Sequence, residues 1–136
     1  MEKVRRVVFV WSPVVLWMGL IFFLSSFHKL QASPISWQDF VIRKTAHFLE
    51  YAILYILLYR GLTFTSGLAF KKRLIISLAM TIFYAFTDEL HQNMVNGRTG
   101  RFFDIGIDSL GALGGLLFVL KLVKYLPEKL KKELTV

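Results

Sequence analysis

The chain has no cysteine, which excludes disulfides and thiolate metal ligands and leaves no redox chemistry from which to read a compartment. It has no nucleophile elbow, no glycine-rich phosphate loop and no His-Glu-x-x-His pair, so no strong catalytic motif marks it as an enzyme. Internal repeats are missing as well. Acidic residues are few: nine Asp and Glu stand against seventeen Lys and Arg, a formal net charge of +8. That excess would fit nucleic acid if the basic residues formed a recognition helix or a basic-aromatic stripe. Instead they sit in short segments beside apolar runs, which argues against a nucleic-acid partner and matches membrane orientation signals.

Apolar residues are what the chain has in abundance. They make up 55% of its 136 residues, for a mean hydropathy of +0.54. The length suits a single domain, 1–136, and the composition is too apolar for a soluble one. Lys3, Arg5 and Arg6 resemble the start of a cleaved signal. The apolar stretch behind them is too long for one, however, and no small-x-small cleavage site follows, so it reads as a retained helix.

Four membrane spans are predicted, over about 7–27, 44–62, 74–92 and 102–122, in an all-α bundle. The first is about 30 Å long as a helix, with Pro13 expected in its early turns. A polar connection is expected over 28–43, with Ser33-Pro34 as its turn and Trp37 and Phe40 at an interface. Lys71-Lys72-Arg73 reads as a basic turn. The apolar run that follows is too short to cross unless it extends through Asp88, Glu89, His91 and Gln92, which gives about 28 Å. Asn96-Gly97 marks the last turn, and Pro127 ends the final helix.

Four spans place both termini on one side. That side collects Lys3, Arg5, Arg6, Arg60, Lys71, Lys72, Arg73, Lys121, Lys124, Lys129, Lys131 and Lys132, against Lys29, Arg43, Lys44, Arg98 and Arg101 opposite. The positive-inside rule then predicts cytoplasmic termini.

The polar residues of the opposite side come in three groups: 43–51, 88–92, and Asp104 with Asp108. Ionisable groups in spans are costly and mark candidate functional sites. Glu50 lies about 9 Å into its span, Asp88 lies about 6 Å short of Gln92 and Asp108 about 6 Å past Asp104, so the three reach a similar depth. Lys44, His47, Glu50 and Tyr51 share one helix face, and Tyr84, Asp88, His91 and Gln92 another. Asp104, Asp108, Gly111 and Gly115 form a further stripe, with the two glycines as a close-packing pair. Helix three is its expected neighbour, and a second copy of the chain is an alternative use for the glycines.

His47, Glu50, Asp88, His91, Asp104 and Asp108 offer imidazole and carboxylate ligands that would suit zinc or manganese. Metal-free acid–base chemistry needs fewer assumptions, because a buried carboxylate, or a histidine oriented by one, can move a proton. Lys44, Arg98 and Arg101 can hold a phosphate or carboxylate. A purely structural account, in which these cations neutralise the acids and lock the bundle, also stands at this point.

Lys44-Thr45-Ala46-His47-Phe48-Leu49-Glu50-Tyr51, Thr87-Asp88-Glu89-Leu90-His91-Gln92, Asn96-Gly97-Arg98 and Asp104-x-x-x-Asp108-x-x-Gly111-x-x-x-Gly115 follow one another in order. Together they resemble the VanZ-like family of small bacterial membrane proteins. Asn96 stands where the family often has proline, and Asp108 where asparagine is common. The resemblance implies a multi-pass plasma-membrane protein of the teicoplanin-resistance type. Its signature carries over to Lys44, His47, Glu50, Tyr51, Asp88, Glu89, Gln92, Arg98, Asp104, Asp108 and Gly111, with His91 beside it.

The leading expectation is therefore an envelope protein with an outer-leaflet site for an amphiphilic envelope molecule or a glycopeptide antibiotic. His47, Glu50 and Asp88 would transfer protons. Lys44, Arg98 and Arg101 would contact an anionic head group, with Tyr51, Glu89 and Gln92 completing the binding set. A non-catalytic binding or scaffold protein is the alternative. A small ion-coupled transporter ranks lower, because the polar residues gather on one side.

Overall fold

A computed structural model describes residues 1–27, 35–95 and 102–128. These form four helices: α1 Glu2–Ser25, α2 Ser36–Thr65, α3 Phe70–Met94 and α4 Phe102–Tyr125. Each is long and apolar enough to cross a membrane. Leu16, Phe23, Ile75, Phe83 and Leu117 are each more than half exposed. In water such a surface would aggregate, whereas in lipid it is the required exterior.

The helices run longer than the apolar runs alone predict. Because α1 starts at Glu2, Pro13 lies well inside it rather than in its early turns. Its missing N–H would have donated to the Phe9 carbonyl, and the Ser12 hydroxyl donates there instead, at 3.3 Å. The expected polar connection over 28–43 is helical from Ser36 onward, where Arg43 pairs with Asp39 one turn earlier at 2.8 Å. Lys71, Lys72 and Arg73 belong to the first turn of α3, not to a turn between helices. Arg73 is 5% exposed, so it is a buried interior residue and not simply a flanking charge.

α2 is the central element. It packs most extensively on α4 and also on α3 and α1, while α1 and α4 each pack on the α2–α3 pair. One apolar cluster joins Val14 and Ile21 of α1 to Tyr51, Leu54 and Leu58 of α2 and Ala85 of α3. A second joins Tyr55 and Tyr59 of α2 to Val119 and Val123 of α4.

The glycine stripe of α4 faces α2, which corrects the expectation that it faces helix three. A Cβ on Gly111 would lie 3.0 Å from the Phe48 carbonyl carbon and closer still to its oxygen, and one on Gly115 would lie 2.6 Å from the Ala52 carbonyl oxygen. The two backbones therefore touch, as small-residue pairs allow. This contact uses the stripe within the chain, so Gly111 and Gly115 do not offer a free face for a homo-oligomer.

Candidate functional site

Ser25 at the end of α1, Lys44 to Tyr51 near the start of α2, Asp88 to Gln92 near the end of α3, and Asp104 with Asp108 at the start of α4 meet at one end of the bundle. They divide into two linked groups, one on each side of α2.

The first group centres on Asp88, which is 3% exposed. Its Oδ1 accepts from the Ser25 hydroxyl at 2.6 Å. Its Oδ2 accepts from the Gln92 amide at 2.8 Å and, more distantly, from the Tyr51 hydroxyl at 3.3 Å. Three neutral donors on three helices thus satisfy one buried carboxylate, as a low-dielectric interior demands. Nearby bonds seat α1 in the same way: the Trp17 indole donates to the Glu50 carbonyl at 2.9 Å, and the Tyr84 hydroxyl donates to the Met18 carbonyl at 2.6 Å.

The second group joins α2 to α4. Lys44 donates to Asp104 in an ion pair. Its ammonium also lies 5.6 Å from the Phe40 ring centre and 5.9 Å from that of Phe103, within cation–π range. Below this pair, His47 Nδ1 lies 3.0 Å from Asp108 Oδ1. Asp108 is fully buried, and its Oδ2 has no hydrogen-bond partner among the described residues. The His47 side chain keeps 16% exposure. In the neutral ring, Asp108 holds the proton on Nδ1 and leaves the Nε2 lone pair as the basic position. Tyr51 bridges the two groups: it bonds Asp88 and lies within electrostatic reach of Asp108.

The VanZ/LLP1 family pattern matches this chain over residues 9–124, a stretch that holds both groups. The chain belongs to the VanZ/LLP1 family. It is accordingly a multi-pass membrane protein with four candidate spans. No curated relative and no solved structure matches it.

The described residues among those singled out in the sequence are thus brought together, with Lys44 paired to an acid as the structural account expected. Lys44, expected to meet an anionic head group, is engaged by Asp104. Gln92 serves Asp88, and Glu89 is buried on the same helix face. Glu50 is half-buried and within electrostatic reach of His47. His91 stacks on Phe22, with the ring centres 4.1 Å apart. Among the described residues, no three His, Asp or Glu side chains gather closely enough to hold a metal ion. The expected set of His47, Glu50, Asp88, His91, Asp104 and Asp108 is therefore split: Asp88 and Asp104 are taken up by other donors, and His47 and Asp108 by each other. Arg98 and Arg101 lie outside the described residues.

Sequence reasoning misses Ser25 and Trp17. Ser25 carries a signal, since a hydroxyl pair, Ser25-Ser26, closes the first span at the level reached by the acidic residues.

Proposed function

We propose that this chain acts in the bacterial plasma membrane, as one domain with both termini in the cytoplasm. Its polar end would then face outward, toward an amphiphilic cell-envelope molecule or a lipoglycopeptide antibiotic of the teicoplanin kind. The orientation rests on the bias of basic residues toward the other end. The observation that carries the functional reading is the His47–Asp108 pair, a part-exposed imidazole oriented by a wholly buried carboxylate.

This arrangement favours His47 as the group that moves a proton, with Asp108 as its positioning residue. Asp88 is better suited to holding α1, α2 and α3 together, because its oxygens are already filled by three donors. Glu50 retains a supporting electrostatic role beside His47. Arg98 and Arg101 keep, by their charge, the part of contacting an anionic portion of the ligand.

The test is expression in a teicoplanin-susceptible Gram-positive host, comparing wild type with His47→Gln and Glu50→Gln at matched membrane levels. Mass spectrometry of envelope lipids and cell-wall precursors runs alongside. Reduced susceptibility that requires His47, together with a new product, supports catalysis. Protection without any product supports the binding or scaffold alternative. Unchanged susceptibility and an unchanged envelope in the wild type would end the proposal.

A further inference from the structure

We propose that the outer polar site takes a primary ammonium group at Asp108 Oδ2, so that its ligand is an amine-bearing amphiphile. The inference rests on the outward-facing site argued above and specifies what that site recognises. Its starting point is an unmet hydrogen-bond demand. Asp108 is fully buried, His47 occupies one of its oxygens, and the other has no partner among the described residues. A buried carboxylate oxygen in that state requires a donor.

The surroundings select the kind of donor. Asp108 lies within electrostatic reach of two further carboxylates, Asp88 and Asp104. The donors on Asp88 are all neutral, a hydroxyl, a phenol and an amide. Lys44 is held by Asp104 between the Phe40 and Phe103 rings, so its charge is already used. The group needed at Asp108 therefore combines positive charge with an N–H. A divalent metal is a poor match, since no third His, Asp or Glu joins the pair among the described residues. A quaternary ammonium carries the charge but has no N–H to give. A primary ammonium supplies both and is satisfied by few acceptors.

The chain itself displays the chemistry. Lys44 on Asp104, flanked by two aromatic rings, is a primary ammonium bound at this same end of the bundle. One turn deeper, Asp108 repeats the carboxylate without the lysine. The His47 ring bonded to Oδ1 keeps 16% side-chain exposure whereas Asp108 keeps none, so a ligand reaches Oδ2 only if the site opens beside that ring.

The experiment uses the full chain in phosphatidylcholine nanodiscs doped with phosphatidylethanolamine or phosphatidylglycerol, with retained lipid counted by native mass spectrometry. A separate arm measures the thermal midpoint with methylammonium or tetramethylammonium chloride. We expect phosphatidylethanolamine to be retained over phosphatidylcholine by at least about tenfold, and Asp108→Asn to abolish the preference while Gly106→Ala, which meets nothing within 4 Å, leaves it. If the source is a free amine and not a lipid head group, methylammonium raises the midpoint and tetramethylammonium does not. This comparison uses wild type alone, so it holds even where Asp108→Asn fails to fold.

Equal retention of the ethanolamine and choline lipids with no effect of methylammonium overturns the inference, and leaves a water or a proton on Asp108. Persistence of the preference in a folded Asp108→Asn protein overturns it equally. Selective retention of phosphatidylglycerol, lost in His47→Gln, would overturn the ammonium assignment while leaving the outer amphiphile site standing.

Discussion

His47 Nδ1 and Asp108 Oδ1, 3.0 Å apart, join α2 to α4 one helical turn deeper than the Lys44–Asp104 ion pair. The two contacts form a ladder whose next steps are the glycine contacts of Gly111 with Phe48 and Gly115 with Ala52. Polar bonds at the polar end of the bundle thus give way to backbone contact with depth along a single helix pair.

If His47 is the proton-transfer group, removing the imidazole removes its entire contribution, on the order of 10²–10⁴ in rate for general acid–base catalysis. His47→Gln and Asp108→Asn should each return teicoplanin susceptibility to that of the empty host. The double variant should be no worse than the worse single one, because the residues act as a unit. Full protection by both single variants at normal expression would remove the pair from the mechanism.

Asp88 should matter to stability as well as to function. Asp88→Ala strands the Tyr51 hydroxyl and the Gln92 amide in the interior, at a cost of about 1–3 kcal/mol for each group left unsatisfied, while the Ser25 hydroxyl keeps the Phe22 carbonyl as an acceptor at 3.0 Å. Ser25→Ala removes one donor and should cost about 1 kcal/mol. Thermal denaturation in detergent measures both, and the Ser25/Asp88 double-mutant cycle should show coupling above about 0.5 kcal/mol. Additive effects would mean that the 2.6 Å bond contributes little.

The glycines of α4 should differ sharply in tolerance. Gly111→Ala drives a methyl into the Phe48 carbonyl of α2, so the helices must separate. Overpacking of this kind costs about 1–3 kcal/mol. A methyl on Gly106 would instead point into open space, with nothing within 4 Å. Gly106→Ala should therefore be neutral or stabilise by up to about 1 kcal/mol through helix propensity. Equal melting temperatures for the two variants would contradict the α2–α4 contact.

The absence of cysteine makes orientation directly measurable. Val95→Cys, just beyond α3, should react with a membrane-impermeant maleimide on intact cells. Glu128→Cys, beyond α4, should react only after permeabilisation. The reverse pattern would turn the polar end toward the cytoplasm and discard the outer-leaflet ligand.

Much of this arrangement is legible in residue order. Hydropathy locates all four helices, and helical spacing puts Lys44, His47 and Tyr51 on one face and identifies Gly111 and Gly115 as a close-packing pair. Boundaries are less legible. Hydropathy stops at the edge of an apolar run, whereas backbone hydrogen bonding continues through Ser36–Arg43 and through Lys71–Arg73. Pro13 is misplaced by hydropathy for the same reason, and the Ser12 side chain that substitutes for its lost bond becomes apparent only with the helix in hand.

Partner choice is the larger gap. The periodicity of one helix defines which residues share a face, but not which helix that face meets. The expectation that the Asp104–Gly115 stripe meets helix three rests on chain proximity through a short connection, yet backbone contact at Gly111 and Gly115 places it on α2. That choice pairs Lys44 with Asp104 and His47 with Asp108, and it leaves Asp88 to Ser25, Tyr51 and Gln92.

Sequence alone determined that this protein is a four-helix membrane chain of the VanZ type with its acids and histidines concentrated toward one end. Hydropathy, helical rise and motif order are properties of the chain taken one segment at a time. Only tertiary structure decided which acid is satisfied and which is not. Hydrogen-bond satisfaction depends on donors arriving from other helices, and it separates a saturated Asp88 from an Asp108 with one oxygen still open among the described residues.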